Sequence, residues 1–234
     1  MSADTFVNRK DLNRQWSPMP RKTQKRLPPV KLTPRTGQKQ SAQSIRTLAH
    51  SNAKQGNYQE AIALLTQLIR RNPINAADYN NRGLIYFQSG QREKALADYN
   101  RALALDPELD SAYNNRGSYY AALGYMAEAL TDYETALDLN PGNVRTWINQ
   151  AITFRELGLH DLALENLDMA LILGGLEEHI YAERGRSYHL RGDWNCAVGD
   201  YQRALRELSL SGSSSRLRRK VKSWMDELLK PLSA

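Results

Sequence analysis

The chain places a glycine every 34 residues, at Gly56, Gly90, Gly124, Gly158 and Gly192. An alanine follows each of these glycines five residues later. A separation that holds through five copies without an insertion indicates one supersecondary unit stacked five times, and this period is that of helix–turn–helix solenoid repeats. The sequence therefore predicts an array of five helix pairs, an architecture that usually presents surfaces to partners.

Each repeat is expected to form two helices on either side of its glycine. With that glycine as position 15, the repeats are residues 42–75, 76–109, 110–143, 144–177 and 178–211. In the second repeat, Ile85 and Tyr86 precede Gly90, and Tyr99 and Leu103 follow it at helical spacing. Glycine can adopt the left-handed conformation that ends the first helix, helix A. A proline stops the second helix, helix B, in repeats 1 to 3, because proline cannot continue a helix.

Small residues at one position of helix A are matched by large residues in helix B. The small residues, at position 8, are Gly83, Gly117, Ala151 and Gly185. The large residues, at position 24, are Tyr99, Tyr133 and Tyr201. This pattern, closed by proline, resembles the tetratricopeptide repeat. Repeat 1 departs from it with Ile45 and Asn52 at aromatic positions, and repeat 4 has Gly174 and Gly175 in place of the proline.

The resemblance implies an all-α, right-handed superhelical solenoid over residues 42–211. It also implies that positions 2, 5, 6, 9, 12 and 13 of each helix A line a concave groove. The last repeat needs its apolar face covered, and residues 212–234 are expected to form a basic, amphipathic capping helix that does this.

Positions 7 and 23 change together among the repeats. Three repeats carry Arg with Asp, as Arg82 with Asp98, Arg116 with Asp132 and Arg184 with Asp200. Repeat 4 has Gln150 with Asn166, and repeat 1 has Leu48 with Leu64. We interpret this as contact, with each Arg bridging helix A to helix B by a charge-assisted bond and the Gln–Asn pair as a neutral equivalent. Shared ancestry of duplicated repeats is the alternative.

Position 6 of the groove is Asn81, Asn115 and Asn149 in consecutive repeats. An Asn amide offers both a donor and an acceptor, which suits an extended peptide backbone. The row resembles the asparagine ladders of some superhelical peptide-binding repeats. The alternative is a set of solvated or locally bonded side chains.

The other lining residues around repeat 3 predict an apolar pocket. Repeat 3 contributes the small residues Ser118, Ala121 and Ala122, and its neighbours contribute the large residues Leu84, Phe87, Ile148 and Ile152. Apolar side chains that face a groove usually mark a binding surface. A crossing helix or a tail of the chain could instead cover them.

Toward repeats 4 and 5 the predicted lining becomes basic, with Arg145, Arg155 and Arg186 accompanied by His179 and His189. An acidic peptide or a free carboxylate would suit this end. The two-carboxylate clamp of chaperone-binding family members is not supported, because the matching positions in repeat 3 are Ser111 and Asn115.

Charge divides the chain into an acidic array between two basic ends. Residues 1–41 carry ten Lys or Arg against two acids, residues 216–234 carry six against two, and the whole chain has a net charge of +7. The first segment is also rich in proline, so it cannot bury enough apolar surface to offset ordering, and we predict a disordered basic arm. Residues 209–215 are predicted to be a flexible hinge.

Taken together, these features favour a non-enzymatic scaffold or adaptor that binds an extended or acidic segment of another protein. The four histidines lack metal-ligand spacing, and no phosphate loop or nucleophile–base pair is present, so no cofactor or metal is expected. A single cysteine and the lack of a long apolar stretch predict a cytoplasmic protein without a transmembrane segment.

Four alternatives stay open at this point. The basic ends could bind nucleic acid or an anionic surface. The basic arm could lie across the acidic array until a partner displaces it. The chain also resembles bacterial and plastid repeat proteins that assemble membrane complexes, such as photosynthetic ones.

Overall fold

The structure, a computed structural model, describes residues 41–210 and 215–230, and within them the chain forms eleven α-helices and no strand. The helices are α1 Ala42–Lys54, α2 Tyr58–Arg71, α3 Ala76–Gln88, α4 Arg92–Leu105, α5 Asp110–Leu123, α6 Met126–Leu139, α7 Val144–Glu156, α8 His160–Leu173, α9 Glu177–Arg191, α10 Trp194–Leu210 and α11 Ser215–Leu229. The prediction of an all-α array of helix pairs is confirmed. The predicted disordered arm, residues 1–41, lies outside the described ranges except for Ser41. The predicted hinge, residues 209–215, is corrected at both ends, because residues 209, 210 and 215 are helical; residues 211–214 lie outside the described ranges.

The glycines spaced 34 residues apart end helix A by their backbone conformation. Gly124 has a φ of 85°, and a Cβ added there would meet nothing within 4 Å. The next residue, Tyr125, donates its backbone N–H to the carbonyl of Tyr120 at 3.0 Å. Glycine is therefore required by the left-handed conformation and not by lack of space.

The position 8 glycines are required by space. A Cβ on Gly117 would lie 2.8 Å from the ring of Tyr133, and the same contact recurs between Gly83 and Tyr99 at 2.9 Å. Repeats 1 and 4 carry alanine at position 8 and leucine at position 24, as in Ala151 with Leu167. The helix pair therefore keeps a close approach by exchanging Gly–Tyr for Ala–Leu.

The A helices form the inner layer of the array. Helices α3, α5, α7, α9 and α11 each contact the next in that series, whereas successive B helices make no comparable contact among the described residues. Elements that touch on one side only must curve around that side. The A helices therefore line the concave face, and the B helices lie outside it.

Helix α11 packs against α9 and α10. Its residues Leu217, Val221, Trp224 and Leu228 are buried in one cluster with α10. The indole of Trp224 stacks on the ring of Tyr201 with centroids 6.1 Å apart. The apolar face of repeat 5 is thereby covered by a helix that begins at Ser215.

Candidate protein-binding groove

The Arg–Asp pairs lie between the helices and hold the groove wall together. Arg82 donates from Nε to Asp98 Oδ2 at 2.7 Å and from Nη2 to Oδ1 at 2.8 Å. Its third nitrogen, Nη1, donates to Thr66 Oγ1 in the preceding repeat at 3.1 Å. The hydrogen bond that Arg82 donates to Asp98 is the largest cause that raises the pKa of Arg82. The guanidinium thus joins two helices of one repeat to helix B of the repeat before it.

The same arrangement occurs in repeats 3 and 5. Arg116 binds Asp132 at 2.7 and 2.8 Å, and Arg184 binds Asp200 at 2.6 and 3.0 Å. The link to the preceding repeat is Asn100 for Arg116 and Asp168 for Arg184. Sequence reasoning missed this third contact, although its acceptor always lies 16 residues before the Arg.

Repeat 4 corrects one expectation. Gln150 and Asn166 do not bond to each other as a neutral equivalent of the ion pair. The amide of Asn166 instead donates to the carbonyl of Leu162 on its own helix at 2.8 Å. Its Oδ1 is buried and has no hydrogen-bond partner within the described part of the chain.

Two members of the asparagine row use their amide groups for contacts between repeats. Asn115 Nδ2 donates to Asn80 Oδ1 at 2.9 Å, and Asn149 Nδ2 donates to Asn114 Oδ1 at 2.9 Å. The alternative of locally bonded side chains therefore holds for both amide groups. Sequence reasoning missed the two buried acceptors, which stand directly before Asn81 and Asn115 in the sequence.

The row still presents acceptors. Within residues 41–210 and 215–230, no hydrogen bond occupies the Oδ1 atoms of Asn115 and Asn149, and the half-buried Asn81 makes none. A carboxamide oxygen whose amide is fixed by another bond has a defined direction. These oxygens can accept backbone N–H groups of a bound chain.

The predicted apolar pocket is narrower than expected. Ile148 is buried in the core of repeats 4 and 5, and Ile152 packs against the same cluster, so Ile148 does not line the groove. Phe87 meets Tyr119 edge to face with ring centroids 5.6 Å apart. Leu84, Ser118 and Ala121 are half-buried, and Ala122 is exposed. These four residues and Phe87 all keep exposed surface on the inner helices, and together we call them the open strip of the groove.

The predicted basic end is largely closed. Arg155 is only 6% exposed, and it donates to Glu183 Oε2 at 2.7 Å, so the prediction that it lines the groove is wrong. Lys220 of α11 donates to the other carboxylate oxygen of Glu183 at 3.1 Å. Burial would raise the pKa of Glu183, but these two cations lower it below its ordinary value.

Arg186 is also occupied. It donates to Glu227 of α11 at 2.9 Å and lies over the ring of Trp224 at 5.4 Å. His189 contacts Arg186 and the hydroxyl of Tyr201, each at 3.2 Å. Burial and the neighbouring charge lower the pKa of His189 and favour its neutral form. Glu183 of α9 and Glu227 of α11 therefore bind the two cations, Arg155 and Arg186, that the sequence pattern had assigned to a ligand.

Arg145 is the member of the basic set that stays available. It is exposed, and it makes no ion pair within the described part of the chain. His179 is half-buried on the first turn of α9. Among the described residues, no group of three or more His, Cys, Asp or Glu could hold a metal ion. None of the described helices is long and apolar enough to cross a membrane.

Comparisons with known proteins agree with this architecture. A TPR repeat model matches residues 83–124, and tetratricopeptide repeat models match residues 111–143 and 37–73. No curated protein shows significant similarity to the chain.

Several solved structures share the fold. A thermophilic tetratricopeptide-repeat protein of Thermus thermophilus is 22% identical with a TM-score of 0.70, over 79% of this chain and 99% of that one. PilW, a widely conserved type IV pilus biogenesis factor, is 20% identical with a TM-score of 0.70, over 84% of this chain and 88% of that one. MamA is 19% identical with a TM-score of 0.57, over 70% of this chain and 96% of that one.

The paired helices and their inner groove define a solenoid of helix–turn–helix repeats, a class that acts as a scaffold for protein interactions. Within that class, the chain is a tetratricopeptide-repeat protein.

Proposed function

We propose that this protein is a non-enzymatic scaffold that holds an extended segment of another protein in the groove of repeats 2 to 4. The observation that carries the proposal is the open strip around Ala122. It combines the small residues of α5 with the larger side chains of Leu84 and Phe87 on α3. Apolar surface inside a concave face usually marks a binding site. The strip lies on the inner layer, where neighbouring repeats can contact one ligand together.

The chemistry of the strip suits an extended backbone with an acidic residue at one end. The NH2 groups of Asn115 and Asn149 are bonded to the neighbouring repeat, whereas their carboxamide oxygens are not bonded among the residues that the structure describes. These oxygens can accept hydrogen bonds from a ligand. Backbone N–H groups of an extended chain supply the matching donors. Arg145, at the repeat 4 end, supplies a cation for a carboxylate of the ligand.

The test blocks the strip without removing any bond of the protein. Ala122→Arg adds a long side chain at an exposed position on α5, and Ala127→Arg makes the same change at an exposed position on the outer helix α6. Both variants are expected to keep the helical content and melting temperature of the natural protein. Partner proteins are photo-crosslinked to the open strip and then identified by mass spectrometry.

We expect Ala122→Arg to lose the captured partners and Ala127→Arg to keep them. Synthetic peptides from a captured partner then locate the bound segment, and Arg145→Glu is expected to weaken those that end in acidic residues. Partners that bind both arginine variants equally would contradict the proposal.

Nucleic-acid binding is a second candidate, and the charge of residues 1–41 is the observation that favours it. Exposed cations of α11, including Arg216 and Lys222, add to it. Binding through these groups falls steeply with salt. The full chain and a chain without residues 1–41 are compared for binding of labelled single-stranded RNA and duplex DNA. Equal binding by both chains, or none by the full chain, would dismiss this candidate.

A cytoplasmic location, and a part in building a larger assembly, belong to the same proposal. Cys196 is exposed and free, which suits a reducing compartment. PilW, whose fold this chain shares, is a biogenesis factor. Cell fractionation tests the location, and the identity of the captured partners tests the assembly role.

A further inference from the structure

The outer face of repeat 4 is apolar where the other repeats are not. Leu162, Met169 and Ile172 occupy positions 19, 26 and 29 of its helix B, α8, and they are 40%, 41% and 77% exposed. The other repeats place polar, charged or small residues at these positions. Those residues are Glu60, Lys94, Glu128 and Cys196; Gln67, Arg101, Thr135 and Arg203; and Arg70, Ala104, Asp138 and Arg206.

Core packing does not account for these three residues. The buried face of α8 consists of Ala163, Leu164, Asn166, Leu167 and Ala170, at positions that the other B helices also bury. The exposed residues lie on the opposite side and recur at intervals of seven and three. From the first to the last they extend over three turns of helix, about 15 Å. Helix α8 therefore carries a second apolar stripe with no partner among the described residues.

The helix that carries the stripe, α8, and the outer helix before it, α6, are acidic. Helices α6 and α8, the outer helices of repeats 3 and 4, contain no Lys or Arg, whereas α2, α4 and α10 each contain at least two. Their exposed acids are Glu128, Glu134, Asp138, Asp161, Glu165 and Asp168. Arg191 and Arg184 bind Asp161 and Asp168, and the other four form no ion pair within the described ranges.

We propose that the outer face of α6 and α8 is a second docking surface, which binds a basic amphipathic helix of a partner protein. An apolar stripe of three turns matches the anchors of such a helix at i, i+3, i+4 and i+7. Lys and Arg on the flanks of that helix would meet the carboxylates of α6 and Glu165. The surface lies on the side opposite the groove, so both can be occupied at once.

The probe is a labelled synthetic peptide of roughly five helical turns made of Leu and Lys, with all Leu on one face. One control peptide has the same composition with the two residues alternating, and a second has Glu in place of Lys. Binding to the full chain is measured by fluorescence anisotropy. The first peptide is expected to bind, and both control peptides are expected to bind at least about tenfold more weakly.

Variants of the protein locate the peptide. Met169→Gln with Ile172→Ala installs the residues that repeats 1 and 2 carry at these positions, so the fold accepts them and the charge is unchanged. We expect this variant to lose roughly tenfold in affinity. Gln67→Ala, at the matched position of repeat 1, is the control and is expected to bind normally. Ala122→Arg is also expected to bind normally, even if the proposed role of the groove is wrong.

Three outcomes would overturn the proposal. They are equal binding of the helical and alternating peptides, unchanged binding by the Met169→Gln/Ile172→Ala variant, and loss of binding in Ala122→Arg. A fourth concerns the occupant: if the full chain dimerises in sedimentation equilibrium and this variant is monomeric, the surface serves a second copy of the chain.

Discussion

Removing Asp98 tests whether the Arg–Asp pairs hold the array together. Asp98→Ala leaves Arg82 without its bidentate partner between α3 and α4. The two side chains are 9% and 16% exposed, so the pair is nearly buried. Breaking a buried pair by removing one partner costs about 3–5 kcal/mol. Arg82 keeps its bond to Thr66 and lies 5.6 Å from the rings of Tyr79 and Tyr86. We therefore expect the lower end of the range, about 3 kcal/mol.

The chain supplies its own comparison for this pair. Repeat 1 carries Leu48 and Leu64 at the same two positions. Replacing a buried pair by apolar residues is often close to neutral. The double variant Arg82→Leu/Asp98→Leu should therefore lie within about 1 kcal/mol of the natural protein. It should be more stable than Asp98→Ala, although it lacks both charges.

Urea denaturation followed by circular dichroism measures these free energies of unfolding. The slope with urea must be compared among variants, because repeat arrays can unfold in parts. Asp138→Ala, on the exposed face of α6, is the control and should stay within about 0.5 kcal/mol. A buried, stabilising pair would be contradicted if Asp98→Ala unfolds like this control, or if the double variant loses more stability than Asp98→Ala.

Two other predictions follow from the repeat contacts. Gly117→Ala should lower the free energy of unfolding by about 1–3 kcal/mol, because the added methyl group clashes with Tyr133. The second change Tyr133→Leu should restore part of this loss. Gly124→Ala should cost about 1 kcal/mol through its backbone conformation, and Tyr133→Leu should not restore it. The pKa of Glu183 is lower in the folded protein than its ordinary value of 4.5. The ionised carboxylate therefore stabilises the folded protein above pH 4.5, and this stability is lost as the pH falls through the pKa of the folded state. The difference in stability between the natural protein and Glu183→Gln should therefore be constant near neutral pH and become smaller in acid. Urea midpoints measured from neutral to acidic pH test this. A difference that becomes larger in acid would contradict it.

Much of the fold follows from the sequence because a helix is a local structure. Backbone hydrogen bonds join residues four apart, so apolar spacing and the glycine at position 15 place the helices of each repeat. Comparing repeats of one chain also places side chains against each other. The positions of Arg82 and Asp98 change together among the repeats, because the two side chains contact each other within one repeat. The structure contains that contact in repeats 2, 3 and 5.

The groove was less predictable, because exposure depends on more than one repeat. The position of Asn115 within its repeat does not reveal whether its amide is bonded. The amide is bonded because the packing of the neighbouring repeat brings Asn80 within reach. Ile148 matched the lining pattern, yet the junction of repeats 4 and 5 buries it. The spacing of residues within one repeat does not by itself reveal which side chains the neighbouring repeat buries or binds, because that depends on how the repeats pack.

The sequence by itself therefore determined the repeat, its helices, the Arg–Asp pairs and the acidic array between basic ends. The tertiary structure determined which side chains stay open to a partner. Arg155 and Arg186 belong to a predicted basic end, but Glu183 and Glu227 neutralise them once α9 packs against α7 and α11. The physical reason is that a charge acts on a ligand only if no closer counter-charge binds it, and that distance arises from packing between helices.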